Sequence, residues 1–133
     1  MRFHTAHKLV LLAHQPVAYT SLGRLVARVE ETPRAALQAE YERVFMTALS
    51  RVATPARHAN VLQHVLGYFR DRLDHDSRAE LSTLIEEYRK GLVPLIVPIT
   101  LVRHHVRRLN VEYLQGQVYL DPHPKELMLR NHA

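Results

Sequence analysis

Apolar side chains recur along this chain at spacings of three and four residues, and strict alternation is scarce, so the pattern is helical. The first segment, "FHTAHKLVLLAH", reads as a helix over 3–14 that stops before Pro16. Its buried side carries Phe3, Ala6, Leu9, Val10 and Ala13. Pro16 starts a second helix near 16–29, which carries Leu22, Leu25, Val26 and Val29. A third, near 33–52, places Leu37, Tyr41, Val44, Phe45, Ala48 and Val52 on one stripe. Thr54 reads as an N-cap and Pro55 as the first residue of a fourth helix running to about Leu73. That helix buries Val61, Leu62, Val65, Leu66 and Phe69.

Ser77 and Glu80 spell a capping box that opens a fifth helix, ending near Lys90 with Gly91 as its C-cap residue. Its stripe is Leu81, Leu84, Ile85 and Tyr88. A sixth helix runs from near Pro94 to about Leu109, burying Leu95, Ile99, Val102, Val106 and Leu109. Pro98 either sits in its first turns or kinks it. "VEYLQGQ" reads as one more helical turn, and "VYLDPHPKELML" as an extended stretch followed by a short helix. The expected fold is all-α: a single compact bundle of about six helices across 1–133, with a partly extended C-terminal tail. The first helix begins almost at residue 1, which suits a module cut from a longer, two-domain protein.

At 133 residues the chain can bury a core without disulfides or a structural metal. It has no cysteine, which removes thiol catalysis, cysteine-based zinc sites and iron–sulfur ligation. The longest apolar run, "GLVPLIVPITLV", is broken by two prolines and falls short of the roughly 20 residues that span a bilayer. No secretory signal is visible. A soluble, cytoplasmic protein without a membrane partner is expected.

The net charge is +5. Residues 1–57 carry 8 basic and 4 acidic side chains, 58–88 carry 3 and 6, and 89–133 carry 7 and 3. Within 89–108 there are five basic residues and no acid. A polyanion partner is the natural inference. The alternative is a moderately basic surface with no special partner.

Ten histidines raise the question of a metal. On a helix, His7 and His14 lie within about 20° of each other, and His4 at most about 80° from them. This differs from the H-x-x-x-H spacing that aims two imidazoles at one ion. A histidine from another helix could complete a site. The competing reading leaves His7 and His14 half-buried and hydrogen-bonded to neighbouring backbone. Lys8 follows His7 directly.

"RHANVLQHVLGYF" places Asn60, Gln63 and Gly67 on one helix face, with His64 and Tyr68 beside them. Glycine inside a helix costs about 1 kcal/mol against alanine. Gly67 therefore marks either a tight helix crossing or a face that a ligand approaches. In "PITLVRHHVRRLN", Arg103, His104, Arg107 and Arg108 fall opposite the apolar stripe with no acid in the adjacent sequence, as a phosphate-binding row would. Arg89 and Lys90 extend that row, or only complement the dipole of the preceding helix. No nucleophile–base signature, P-loop or Rossmann glycine pattern occurs. An enzyme is not expected, nor a cofactor.

Four stretches, "FHTAHKLVLLAH", "HANVLQHVLGYF", "GLVPLIVPITLVRHH" and "VYLDPHPKELMLRN", in this order across nearly the whole chain, resemble the YbgA-like domain family. Members of that family occur alone or as the C-terminal half of fusions with a thiouracil-desulfidase-like domain. In those fusions the iron–sulfur cluster and the desulfidation chemistry belong to the N-terminal half. The resemblance implies a domain that binds tRNA and presents 4-thiouridine to a desulfidase-like partner domain. Lys8 and His7, with Arg103, His104, Arg107 and Arg108, are then the first candidates for RNA contact. Asn60, Gln63, His64 and Tyr68 follow, and Lys90, Lys125 and Arg130 are second choices. A helical protein–protein module and a histidine-based metal domain remain the alternatives.

Overall fold

A computed structural model describes residues 2–31 and 33–121. The described residues form eight α-helical segments, three short 3-10 turns and no strand. The helices are α1 (Arg2–Ala6), α2 (Lys8–His14), α3 (Pro16–Ala27), α4 (Arg34–Leu49), α5 (Pro55–Phe69), α6 (His75–Arg89), α7 (Ile96–Arg108) and α8 (Glu112–Gln115). The all-α bundle expected from the spacing is the observed fold, and α8 is the extra turn read in "VEYLQGQ". Val118–Leu120, expected to be extended, is instead a 3-10 turn. The short helix expected after it lies outside the described residues. No helix among the described residues is long and apolar enough to cross a membrane.

The bundle is built around α2. Leu9, Val10, Leu11, Leu12 and Ala13 are all buried, and a helix that is apolar all round has to be enclosed on every side. On one side, Leu11 joins Ala18 and Leu22 of α3 and Tyr41, Phe45 and Ala48 of α4. On the other, Leu9 and Leu12 join a larger core from α5, α6, α7 and the Val118–Leu120 turn. Leu62, Phe69, Leu81, Ile85, Ile99 and Tyr119 have no exposed surface there.

The expected single helix over 3–14 is broken at His7, and a residue far along the chain breaks it. An unbroken helix would bond the Leu9 amide to the Thr5 carbonyl. Instead the buried side-chain amide of Gln117 stands between them. Its Oε1 accepts from the Leu9 N–H at 3.3 Å, and its Nε2 donates to the Thr5 carbonyl at 2.7 Å. A side chain inserted in the ladder is a recognised cause of a helix break. The break turns Phe3, expected in the core, to 47% exposed.

Local signals set most other boundaries. Thr54 caps α5 by accepting the Arg57 N–H. The cap of α6 is Asp74, not Ser77. Its carboxylate accepts the Ser77 N–H, so the helix starts at His75 and the Ser77–Glu80 capping box does not form. At Gly91 (φ 80°) the Leu92 N–H bonds the Glu87 carbonyl and the Gly91 N–H the Tyr88 carbonyl, closing α6 in a Schellman turn. Asn110 (φ 52°) closes α7 the same way through Val106 and Arg107. Pro98 lies in the first turn of α7, where its amide would have had no intrahelical partner. Helix α4 ends at Leu49, which leaves Val52, expected on its buried stripe, 73% exposed. Helix α5 ends at Phe69, short of Leu73, because Arg70 turns to φ 49°. The Arg78 guanidinium donates to the Arg70 and Leu66 carbonyls and holds that left-handed turn.

Candidate nucleic-acid interface

Helix α7 buries Ile99, Val102, His105 and Val106, which sends Arg103, His104, Arg107 and Arg108 outward. The expected row is present, but the absence of counter-charges is not. Arg103 approaches Asp121 at 3.5 Å and Arg108 approaches Asp74 at 3.7 Å. Both acids come from other parts of the chain, so the local sequence could not display them. Arg107 makes no ion pair or side-chain hydrogen bond among the described residues. Arg103 and Arg107 also face Gln115 and Asp121 across a cleft of about 160 Å³, floored by Val106, Leu114 and Leu120.

Arg89 and Lys90, the expected extension of the row, stand beside acids of their own helix. Arg89 pairs with Glu86 at 2.8 Å, and Lys90 shares a surface hollow with Glu86 and Glu87. Lys125 and Arg130 lie outside the described residues.

The opening histidines are tied into the fold. His7 Nδ1 bonds the Phe3 carbonyl at 2.7 Å, and His14 Nδ1 bonds the Arg51 carbonyl at 2.8 Å. The His7 ring stacks on Phe3 and meets the edge of Phe45. Lys8 is half-buried. His4 is buried, with Nδ1 2.9 Å from the Tyr41 hydroxyl. The half-buried, backbone-bonded reading of His7 and His14 is the one observed. No group of three His, Asp or Glu side chains able to hold a metal occurs among the described residues.

On α5, Asn60, Gln63, His64 and Gly67 are exposed and Tyr68 is half-buried. Gly67 marks no tight crossing: a Cβ built there meets nothing within 4 Å. Two residues not singled out in the sequence complete this face. Tyr113 of α8 stacks on Tyr68 with ring centres 4.6 Å apart, and Tyr19 of α3 meets the His64 ring edge-on at 6.5 Å. Burial, then contact with Tyr68, raises the pKa of both phenols.

His105 is buried behind the basic row. Its Nδ1 lies 3.4 Å from Arg108 Nε, which donates to it, so the ring proton sits on Nε2. Burial first, then the Arg108 charge, lowers the His105 pKa. Burial first, then Lys8, lowers that of His4. A lowered native pKa means that the unfolded chain takes up protons first as pH falls. Stability from both histidines is present above about pH 6.5 and is lost as pH drops through the native values. Urea denaturation at pH 7.5 and 5.5 should show the loss, and His105→Gln should reduce it. A midpoint unchanged across this range would contradict the account.

Residues 8–124 match a family described as "Protein of unknown function (DUF1722)". The chain belongs to that family. It is also 35% identical over 130 residues to "Uncharacterized protein YbgA" of Escherichia coli (strain K12), spanning 97% of this chain and 77% of that protein. The resemblance to the YbgA-like domain is borne out by both. No solved structure matches the chain. The DUF1722 span takes in Lys8, the α5 face and the whole α7 row, and it ends before Lys125 and Arg130.

Proposed function

We propose that this chain is an RNA-binding accessory domain, with tRNA as its RNA, which presents thiolated tRNA to a desulfidase domain and carries out no chemistry of its own. The observation that carries the reading is the outer face of α7. Arg107 and His104 stand exposed there; among the described residues Arg107 has no acidic partner and Arg103 has only a loose surface pair. Such pairs contribute about 0–1 kcal/mol, so a phosphate can displace Asp121 without a large penalty. The tRNA and desulfidase parts of the reading come from the YbgA-like resemblance.

The test is fluorescence anisotropy of labelled tRNA across a salt series. Three phosphate contacts imply affinity falling roughly 40-fold between 50 and 200 mM salt. A folded domain that binds no tRNA at 50 mM salt overturns the proposal. One observation favours a second reading, a protein-docking module: exposed Phe3 and Val29 line an apolar cleft of about 370 Å³ with Leu37 and Tyr41. A folded domain that binds no tRNA leaves that reading standing.

A further inference from the structure

The solvent face of α5 is unlike an ordinary exposed helix face. Between Arg57 and Arg70 there is no Asp, Glu, Lys or Arg, yet Asn60, Gln63, His64 and Gly67 are all exposed. Solvated helix faces are normally charged. This one offers two amides, each able to donate and accept, and a glycine with open space before it. Beside it runs a ladder of rings from three helices. Tyr19 meets His64, His64 meets Tyr68 at 5.5 Å, and Tyr68 stacks on Tyr113.

We infer that this face receives an unpaired nucleobase of the bound RNA, with Asn60 and Gln63 hydrogen-bonding its edge and the exposed His64 ring, backed by Tyr68 and Tyr19, stacking on its face. The inference rests on the RNA-binding reading and adds to it which part of the RNA is recognised and where. Unpaired bases are the usual target of stacking and amide contacts in RNA recognition. A protein partner suits the face less well. Interface cores are apolar, and none of the exposed large hydrophobic residues, such as Met46, Val52 and Leu92, lies on α5. Gly67 lets a flat base approach the helix backbone, which any larger side chain would prevent.

The test compares a short RNA hairpin with a 2-aminopurine in its loop against a fully paired duplex of equal charge, both by anisotropy at fixed salt. The domain should prefer the hairpin, and the 2-aminopurine emission should change on binding. His64→Ala should weaken hairpin binding by between about 5-fold and about 100-fold and leave duplex binding unchanged. Gly67→Leu separates binding from folding. It should raise the melting temperature by about 3 °C, because leucine is the better helix former and has room, while weakening hairpin binding to a similar extent. Equal affinity for hairpin and duplex, unmoved by both variants, overturns the inference and leaves RNA binding intact. Binding to neither at low salt overturns both.

Discussion

Replacing Gln117 with Leu is expected to destabilise the domain by about 2–4 kcal/mol, because a buried donor and a carbonyl each lose a hydrogen bond. For a domain of this size that is a fall in melting temperature on the order of 10 °C, measurable by circular dichroism. Gln117 is 2% exposed and holds both sides of the α1–α2 break. Leucine keeps the volume but gives the Leu9 amide no acceptor and removes the Gln117 donor to the Thr5 carbonyl. The two groups cannot simply close on each other, because α1 is anchored elsewhere through the His4–Tyr41 bond and the packing of Phe3 on Phe45. A loss below about 0.5 kcal/mol, under the net value of one typical hydrogen bond, would show that they do.

Gln117→Glu gives a sharper form of the same prediction. An ionised carboxylate can accept from Leu9 but has nothing to donate to Thr5, so burial and the facing carbonyl raise its pKa. The protonated acid can make both bonds. A raised native pKa means that this contribution is complete below about pH 4.3 and is lost as pH rises through the native value. The variant should therefore be weakest at neutral pH and regain stability on mild acidification relative to Gln117→Leu. That trend runs against the wild-type loss from His4 and His105.

This break also shows where the sequence was legible and where it was not. The start of α5 was readable because Thr54 and the amide it caps lie three residues apart. The end of α6 was readable because Gly91 supplies a left-handed residue at the position a Schellman turn requires. The stripe Leu81, Leu84, Ile85 and Tyr88 followed from helical period alone, with Leu84 half-buried at its edge. The break at His7 was not readable, since its cause is 108 positions from Leu9. At the start of α6 two caps competed within a few residues, and Asp74 took the Ser77 amide before a box could form. The functional surface divides in the same way. Outward placement of Arg103, His104, Arg107 and Arg108 followed from the period, whereas their counter-charges came from the α6 cap and from the segment after α8. The ring ladder joins α3, α5 and α8, and no spacing within one helix reports it.

Those counter-charges make the α7 arginines unequal, and tRNA binding should rank them. Arg107→Glu is expected to weaken binding roughly 10-fold or more at 50 mM salt and to lower the salt slope by about 1, as loss of one phosphate contact does. Arg103→Glu should cost less, because Asp121 already offsets part of the Arg103 charge in the free domain. Asp121→Asn should act in the opposite direction. It frees Arg103 and removes an anion from the cleft that Arg103 shares with Arg107 and Gln115. Affinity should rise several-fold, with a slope steeper by about 1. Arg108→Glu gives no clean reading of phosphate contact. It puts a carboxylate beside Asp74, the α6 cap, and takes away the donor to His105, so its effect on binding should come with a lower melting temperature. The ordering Arg107 above Arg103, with Asp121→Asn as a gain, distinguishes a phosphate site at this cleft from a diffuse basic surface. A diffuse surface would respond equally to either arginine, in proportion to charge alone.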